Sequence, residues 1–149
     1  MPPIVDGPAS KRGYGLRAAD LLVRTLSDAG VEKIFSLSGN QIMSVYDALI
    51  GSGIDLIHVR HEAAAVHMAD AWGRITGQPG VAMYTTPGFA NAIPGLSNAL
   101  HAESPVLSIS GSAPLVELGR GAMQEIDQVG MASPTTKGAW MVTDPRRIP

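Results

Sequence analysis

Cysteine is absent from all 149 residues of the sequence. Its absence excludes a disulfide framework and a zinc site made of thiolates, and it fits a reducing compartment such as the cytoplasm. No apolar run reaches the roughly 20 residues that a membrane-spanning helix needs. The N-terminal residues also do not show the charged and apolar segments of a signal peptide. We therefore expect a cytoplasmic chain that does not associate with a membrane.

Charged residues are scarce, at 16% of the chain, and the net charge is -2. Because no basic run is present, the sequence has no electrostatic footprint for nucleic acid, and we expect no such partner. Hydrophobic residues make up 45% of the chain, which predicts a folded globular protein. Residues 1–14, rich in proline, glycine and charge, predict a flexible leader, and residues 15–149 predict one domain.

Short apolar strands alternate with longer helical patterns along the chain. This alternation predicts an α/β domain with a parallel sheet and helices on both faces. The helix at 61–76 is apolar nearly all round, which predicts burial between layers. The predicted strands are 33–37, 54–59, 81–85, 105–110 and 137–142. The first predicted helix begins at residue 16, and the others cover 42–50, 61–76, 88–102 and a short segment at 124–129.

The last residues of the sequence carry a start signal for a helix. Residues 143–147 combine a capping residue with proline in the first turn. The sequence ends at Pro149, before a helix could follow. We therefore expect a fragment or one half of a split protein.

The topology of the predicted sheet indicates where a ligand would bind. Three turns, at 38–40, 60–62 and 86–88, follow predicted strands. In a parallel α/β sheet ligands bind at the carboxyl ends of the strands. The sequence therefore predicts a site at this edge, before any particular chemistry is assigned.

Glu62 lies in the first turn of the predicted helix at 61–76. The helix N-terminus favours its carboxylate by about 0.3–1 kcal/mol when exposed, whereas burial favours the neutral acid. A carboxyl group between these two influences is suited to exchanging a proton near neutral pH. The alternative on spacing alone is a structural glutamate that stabilises the helix dipole.

The other polar positions give weaker signals. His61 and His67 are six residues apart, which does not match the zinc-protease pattern of histidines at i and i+4, so we expect no metal site. The turn from Thr86 to Asn91 could hold a polar ligand on its free backbone N–H groups, or it could be a tight turn that needs glycine. Ser38-Gly39-Asn40 is open to the same two interpretations.

An ordered set of motifs gives these residues a common context. It includes Arg60-His61-Glu62-Ala63-Ala64-Ala65, Met68-Ala69-Asp70, Arg74, Gly80-Val81, Pro87-Gly88 with Asn91, and Gln124-Glu125-Ile126-Asp127-Gln128. Over about residues 15–145 this set resembles the N-terminal, aminopyrimidine-binding (PYR) domain of thiamine-diphosphate-dependent enzymes. The group it resembles contains acetolactate synthase, pyruvate oxidase and benzoylformate decarboxylase. Against this domain, the last helix and strand are missing from the sequence.

The resemblance implies a role for each matched residue. Glu62 matches the glutamate that hydrogen-bonds N1′ of the thiamine aminopyrimidine and relays a proton to the cofactor. Gly39 matches the glycine of the first loop over that ring. The turn that approaches the ring is matched by Pro87, Gly88 and Asn91, and the substrate side by Gln124 and Lys137.

The resemblance also implies partners. In this group Mg²⁺ and the diphosphate are held by a separate domain marked by Gly-Asp-Gly, a motif that the 149 residues do not contain. The cofactor lies between the two domain types, so we expect an oligomer that contains a diphosphate-binding domain or subunit. The implied activity is decarboxylation and carboligation of a small 2-keto acid, with no activity from this chain alone.

Three positions depart from the family pattern. The first loop reads Ser-Leu-Ser-Gly-Asn instead of Gly-x-Pro-Gly, the third turn reads Thr-Thr-Pro-Gly and is one residue shorter, and Met123 replaces a common phenylalanine. Two alternatives follow. One is an enzyme of the oxalyl-CoA or 2-hydroxyacyl-CoA lyase type, and the other is a non-catalytic interaction protein that retains only the fold.

Overall fold

Strands and helices alternate through a computed structural model, which describes residues 17–148. The predicted leader at 1–14 lies outside the described residues. The helices are α1 (Ala18–Asp28), α2 (Met43–Leu49), α3 (Glu62–Thr76), α4 (Phe89–His101) and α5 (Gln128–Ala132). The strands are β1 (Lys33–Ser36), β2 (Asp55–His58), β3 (Gly80–Tyr84) and β4 (Val106–Ser110), and short 3₁₀ turns cover Asn40–Ile42, Ser133–Thr135 and Pro145–Arg147.

The four strands form one parallel sheet in the order β2-β1-β3-β4. All five residues of β3 are buried, as expected for a strand that is covered on both faces. The predicted fold class, a parallel α/β sheet with helices, is therefore confirmed. Among residues 17–148, no helix has both the length and the apolar character needed to cross a membrane.

Two hydrophobic clusters cover the opposite faces of the sheet. Successive side chains of a strand point to opposite faces. Ile34 accordingly packs with α1 and α2, while its neighbour Phe35 packs with α3 and α4. In β3, Val81 and Met83 join the first cluster, and Ala82 and Tyr84 join the second. Helices therefore lie on both faces, as predicted.

Helix α3 begins and ends at residues suited to those positions. The Nδ1 atom of His61 accepts a hydrogen bond from Ala63 N at 3.2 Å, and Gly77 ends the helix with a φ of 71°. The expected burial between layers holds only in part, because Met68 is 39% exposed and Ile75 is 84% exposed, whereas Ala65, Val66, Ala69, Asp70 and Gly73 are buried. The sheet and α4 are the elements that pack against α3.

A buried carboxylate connects α3 to α4. Asp70 accepts two hydrogen bonds from Arg74, both at 2.8 Å, and one from Asn98 Nδ2 at 3.1 Å. Ser104 Oγ donates to the backbone oxygen of Asp70 at 3.1 Å. These contacts fix the long helix that carries Glu62 at its first position.

Two predicted elements in the C-terminal part differ from the structure. Residues 137–142 form no strand, so the prediction of a fifth strand is wrong, and β4 is an edge strand among the described residues. The short helix begins at Gln128 instead of 124, because Gln124 has a φ of 65°, which a right-handed helix does not allow. Asp127 caps this helix by accepting from Gly130 N at 2.8 Å.

Candidate functional site

The carboxyl ends of β1, β2 and β3 bring the three predicted turns to one edge of the sheet. The chain passes from β1 to β2 on one side, and β3 then pairs with the other side of β1. A crevice forms at such a change of direction, and ligands of open α/β sheets bind there. The described structure thus places the predicted turns where the topology favours binding.

The carboxylate of Glu62 lies against the beginning of α4. Its Oε2 accepts a hydrogen bond from Asn91 Nδ2 at 3.0 Å. Its Oε1 occupies the space next to Gly88, where the Cβ of any other residue would overlap it. The carboxylate therefore lies at the N-terminal end of α4, where Asn91 holds it. Glu62 is half-buried, so its carboxylate still reaches the surface.

Position 88 needs glycine because the Glu62 carboxylate lies so close to it, and not because of the backbone conformation there. Its φ of -57° is one that any residue adopts. A side chain here would displace the Glu62 carboxylate, because the added Cβ and Oε1 would overlap. Residues 86–88 do form a turn, but its backbone does not need glycine at position 88. The preceding Thr86-Pro87 peptide bond is cis.

Gly39 fits closely against the third turn. It precedes the 3₁₀ turn Asn40–Ile42, and its φ of -172° is ordinary extended backbone. A Cβ at this position would come 2.5 Å from Thr85 Oγ1. The first and third turns are therefore in contact, and the lack of a side chain at Gly39 and at Gly88 lets Thr85 and the Glu62 carboxylate pack closely against them.

Tyr84 lies beneath the site and was missed in the sequence, where it reads only as one apolar residue of a strand. Its side chain is fully buried, its ring contacts Phe89, and its hydroxyl is hydrogen-bonded to Ser108 Oγ. Burial raises the pKa of Tyr84 to about 12, with a further rise from the nearby charge of Glu62. The hydroxyl consequently stays protonated near neutral pH and supports α4 from below.

The two substrate-side residues predicted from the resemblance lie in different surroundings. The backbone oxygen of Gln124 accepts a hydrogen bond from Thr86 Oγ1 at 2.6 Å, which brings it to the third turn. Lys137 is exposed and lines a groove of about 710 Å³ along β4 and α5. The lining of that groove includes neither Glu62 nor Gln124. The structure therefore groups Gly39, Glu62, Gly88, Asn91 and Gln124 and leaves Lys137 outside.

The histidines near this edge serve other contacts. His61 caps α3, and His58 Nε2 lies 3.4 Å from Ser38 Oγ. Within residues 17–148, no three side chains of the metal-binding types His, Cys, Asp and Glu come together. The chemistry available at this edge is therefore that of one oriented carboxylate with amide and backbone groups around it.

Comparison with known proteins gives the same domain. A family model described as "Thiamine pyrophosphate enzyme, N-terminal TPP binding domain" matches residues 16–131. The acetolactate synthase isozyme 3 large subunit of Escherichia coli strain K12 is 42% identical over 137 residues, which cover 90% of this chain and 24% of that protein.

Relatives from other organisms show similar values. The catabolic acetolactate synthase of Raoultella terrigena is 41% identical over 140 residues, covering 93% of this chain and 25% of that protein. The probable acetolactate synthase large subunit of Methanocaldococcus jannaschii is 37% identical over 137 residues, which cover 90% of this chain and 23% of that protein. The chain thus spans about a quarter of the length of the relatives it matches.

Proposed function

Because the chain belongs to the thiamine pyrophosphate enzyme family, through its N-terminal TPP-binding domain, we propose that it forms the aminopyrimidine-binding half of an acetolactate synthase-like enzyme. That enzyme decarboxylates a small 2-keto acid and joins the product to a second carbonyl compound. One observation carries the proposal. The Glu62 carboxylate lies at the carboxyl edge of the sheet, oriented by Asn91 and within reach of a ligand.

The residues at this edge fit an aminopyrimidine ring. An ionised carboxylate has about four acceptor positions, and Asn91 uses one of them. The remaining positions can accept from a protonated ring nitrogen, and such a charge-assisted hydrogen bond is stronger than one between neutral groups. Glycine at 88 avoids a side chain that would overlap the carboxylate, and glycine at 39 lets the first turn pack closely against Thr85 of the third.

Each residue then has a defined task. Glu62 holds a proton between its carboxylate and the ring nitrogen N1′, and Asn91 keeps the carboxylate in one orientation. Gly39, Pro87 and Gly88 let the ring approach the backbone. Bound in this place, thiamine diphosphate supplies the electron sink that decarboxylation of a 2-keto acid requires. The family resemblance assigns both Gln124 and Lys137 to the substrate side. The bond to the third turn supports this place for Gln124, whereas Lys137 lies outside the grouped residues.

The rest of the cofactor needs a partner. We propose that the diphosphate and its Mg²⁺ are held by a separate diphosphate-binding domain or subunit, as the sequence resemblance implies. The complete site then forms in an oligomer, where the two domain types meet. We place the assembly in the cytoplasm, since a chain without cysteine has no need of an oxidising compartment.

A chimeric enzyme tests the proposal. In the E. coli isozyme 3 large subunit, the segment that this chain matches is replaced by the chain, and acetolactate formation from pyruvate is measured with thiamine diphosphate and Mg²⁺. We expect turnover, and we expect Glu62→Gln to lower kcat by about 100-fold or more, the usual contribution of a positioned acid–base group.

Glu32→Gln is the matched control. Glu32 is an exposed glutamate just before β1, at the opposite end of the strands from Glu62. The kcat of the Glu32→Gln chimera should therefore equal that of the unsubstituted chimera. Equal turnover of the Glu62→Gln and unsubstituted chimeras would remove Glu62 from the mechanism. A folded, assembled chimera without any turnover would instead favour the non-catalytic alternative, to which the altered first and third turns point.

A further inference from the structure

The loop that carries Gln124 has an unusual backbone at this residue. Gln124 has a φ of 65°, in the left-handed region that side-chain-bearing residues rarely adopt. Such a conformation persists only where surrounding contacts hold it. Gln124 is itself exposed, so its side chain is free to meet a ligand while its backbone is fixed.

Two sets of hydrogen bonds hold this backbone. Glu125 closes the loop with its carboxylate, which accepts from Gly119 N at 2.6 Å and from Ala122 N at 3.2 Å. Thr86 Oγ1 donates to the backbone oxygen of Gln124 at 2.6 Å. The first set shapes the loop internally, whereas the second connects it to a part of the chain 38 residues away.

Thr86 connects the third turn, next to Glu62, with the loop that carries Gln124. It is only 1% exposed, so its hydroxyl bond is shielded from water. It lies two residues before Gly88, whose backbone contacts the Glu62 carboxylate. One buried hydroxyl thus joins the turn that approaches the cofactor to the loop that approaches the substrate.

We infer that Thr86 is a positioning residue that sets Gln124 relative to Glu62, and so sets the affinity of the site for its 2-keto acid. This inference rests on the proposed function, because it needs a substrate bound between these two residues. Thr86 touches neither cofactor nor substrate in this role. It acts through the backbone of Gln124.

Thr86→Val isolates the hydroxyl, because valine has nearly the same shape and fills the same buried space. Thr86→Ser retains the hydroxyl and serves as the rescue. Thr76→Val is the control for the substitution itself, since Thr76 Oγ1 also donates to a backbone oxygen, Trp72 O at 2.7 Å, but in an exposed bond within α3, at the end remote from the site.

The first measurement follows hydrogen exchange in the 149-residue chain. We expect Thr86→Val to speed exchange at the Gly119, Ala122 and Glu125 amides by about tenfold or more, since the loop opens more often without its tether. Exchange in β3 should not change, and Thr86→Ser and Thr76→Val should match the unsubstituted chain. Unchanged exchange in the loop of Thr86→Val would overturn the inference.

The second measurement uses the chimeric enzyme. We expect Thr86→Val to raise the KM for pyruvate by about tenfold, with kcat and thiamine diphosphate affinity within about twofold, the pattern of lost substrate binding. Thr86→Ser should restore the KM. A fall in kcat and cofactor affinity without a KM change would show that Thr86 merely supports the turn, and the inference would fail.

The two proposals fail separately. If Glu62→Gln is fully active, the proposed function falls, whatever Thr86→Val does. If Glu62→Gln is inactive and Thr86→Val has the KM of the unsubstituted chimera, the proposed function stands and only the role of Thr86 is lost.

Discussion

At the scale of single residues, the site depends on side chains that are absent as much as on those present. The glycines at 39 and 88 both have φ values open to any residue. What excludes a side chain is a neighbour, Thr85 Oγ1 at the first position and Glu62 Oε1 at the second. The family resemblance pointed to both glycines, but the sequence did not show why position 88 needs glycine, because its neighbour Glu62 lies 26 residues earlier in the chain.

Gly88→Ala should separate the position of the carboxylate from the stability of the fold. The new methyl group would overlap only the end of the flexible Glu62 side chain, so we expect the free energy of unfolding to change by less than about 1 kcal/mol. The displaced carboxylate loses its alignment, and kcat of the chimera should fall by about tenfold or more.

Urea denaturation and steady-state kinetics measure the two effects of Gly88→Ala. Asn91→Ala offers a comparison, since it removes the donor to Glu62 Oε2 without crowding the site. It should lower kcat less than Gly88→Ala does. Undiminished kcat in Gly88→Ala would mean that the observed contact between Gly88 and Glu62 has no part in turnover.

At the scale of elements, α3 delivers Glu62 to the edge, and Asp70 fixes the helix. The hydrogen bonds from Arg74 hold the pKa of Asp70 below its usual range, assisted by Ser104 and Asn98, although burial opposes them. A carboxyl group whose folded pKa is lowered stabilises the fold above its unfolded pKa. That contribution is lost as the pH falls from about 4, the unfolded value, through the lower folded pKa.

Asp70→Asn should therefore destabilise the chain in a pH-dependent way. Near pH 7 we expect a loss of about 1.5–3 kcal/mol, the range for hydrogen bonds to a charged group. The difference between the two proteins should shrink as the pH falls below about 4, where the unfolded chain begins to take up the proton, and should disappear below the lowered pKa of native Asp70.

Urea denaturation at a series of pH values checks this prediction. Asp28→Asn is the control, because Asp28 forms an exposed i,i+4 pair with Arg24 at 3.8 Å, which is worth about 0.3–0.5 kcal/mol. A loss of stability in Asp70→Asn that stays constant from pH 7 to pH 3 would contradict the role given to its charge.

At the scale of the whole molecule, local patterns predicted most of the fold, and the errors lie where distant contacts decide. Four strands and the helix carrying Glu62 follow from hydrophobic periodicity, which is a local property. Residues 139–142 are apolar enough for a strand, yet a strand needs a neighbour, and sequence does not show whether one is present. The bonds from Thr86 to Gln124 and from Asn91 to Glu62 join residues 38 and 29 positions apart. No local pattern predicts such pairs.

The isolated chain carries few of the groups that could bind thiamine diphosphate. Under the proposed function, the chain offers one carboxylate to the aminopyrimidine, and a hydrogen bond to a charged group contributes about 1.5–3 kcal/mol. A Kd of 1 mM already requires about 4 kcal/mol. The 149 residues contain no Gly-Asp-Gly motif to hold Mg²⁺ and the diphosphate.

We therefore expect the isolated chain to bind thiamine diphosphate with a Kd weaker than about 1 mM. Thiamine should bind equally weakly, and Mg²⁺ should make no difference, because neither the diphosphate nor the metal meets its own site. Titrations followed by NMR shifts at the Gly88 and Asn91 amides measure these affinities, with the chimeric enzyme as the comparison that binds in a Mg²⁺-dependent manner. Micromolar, Mg²⁺-dependent binding by the chain alone would mean that it holds both ends of the cofactor, and that the division of the site between two domain types is wrong.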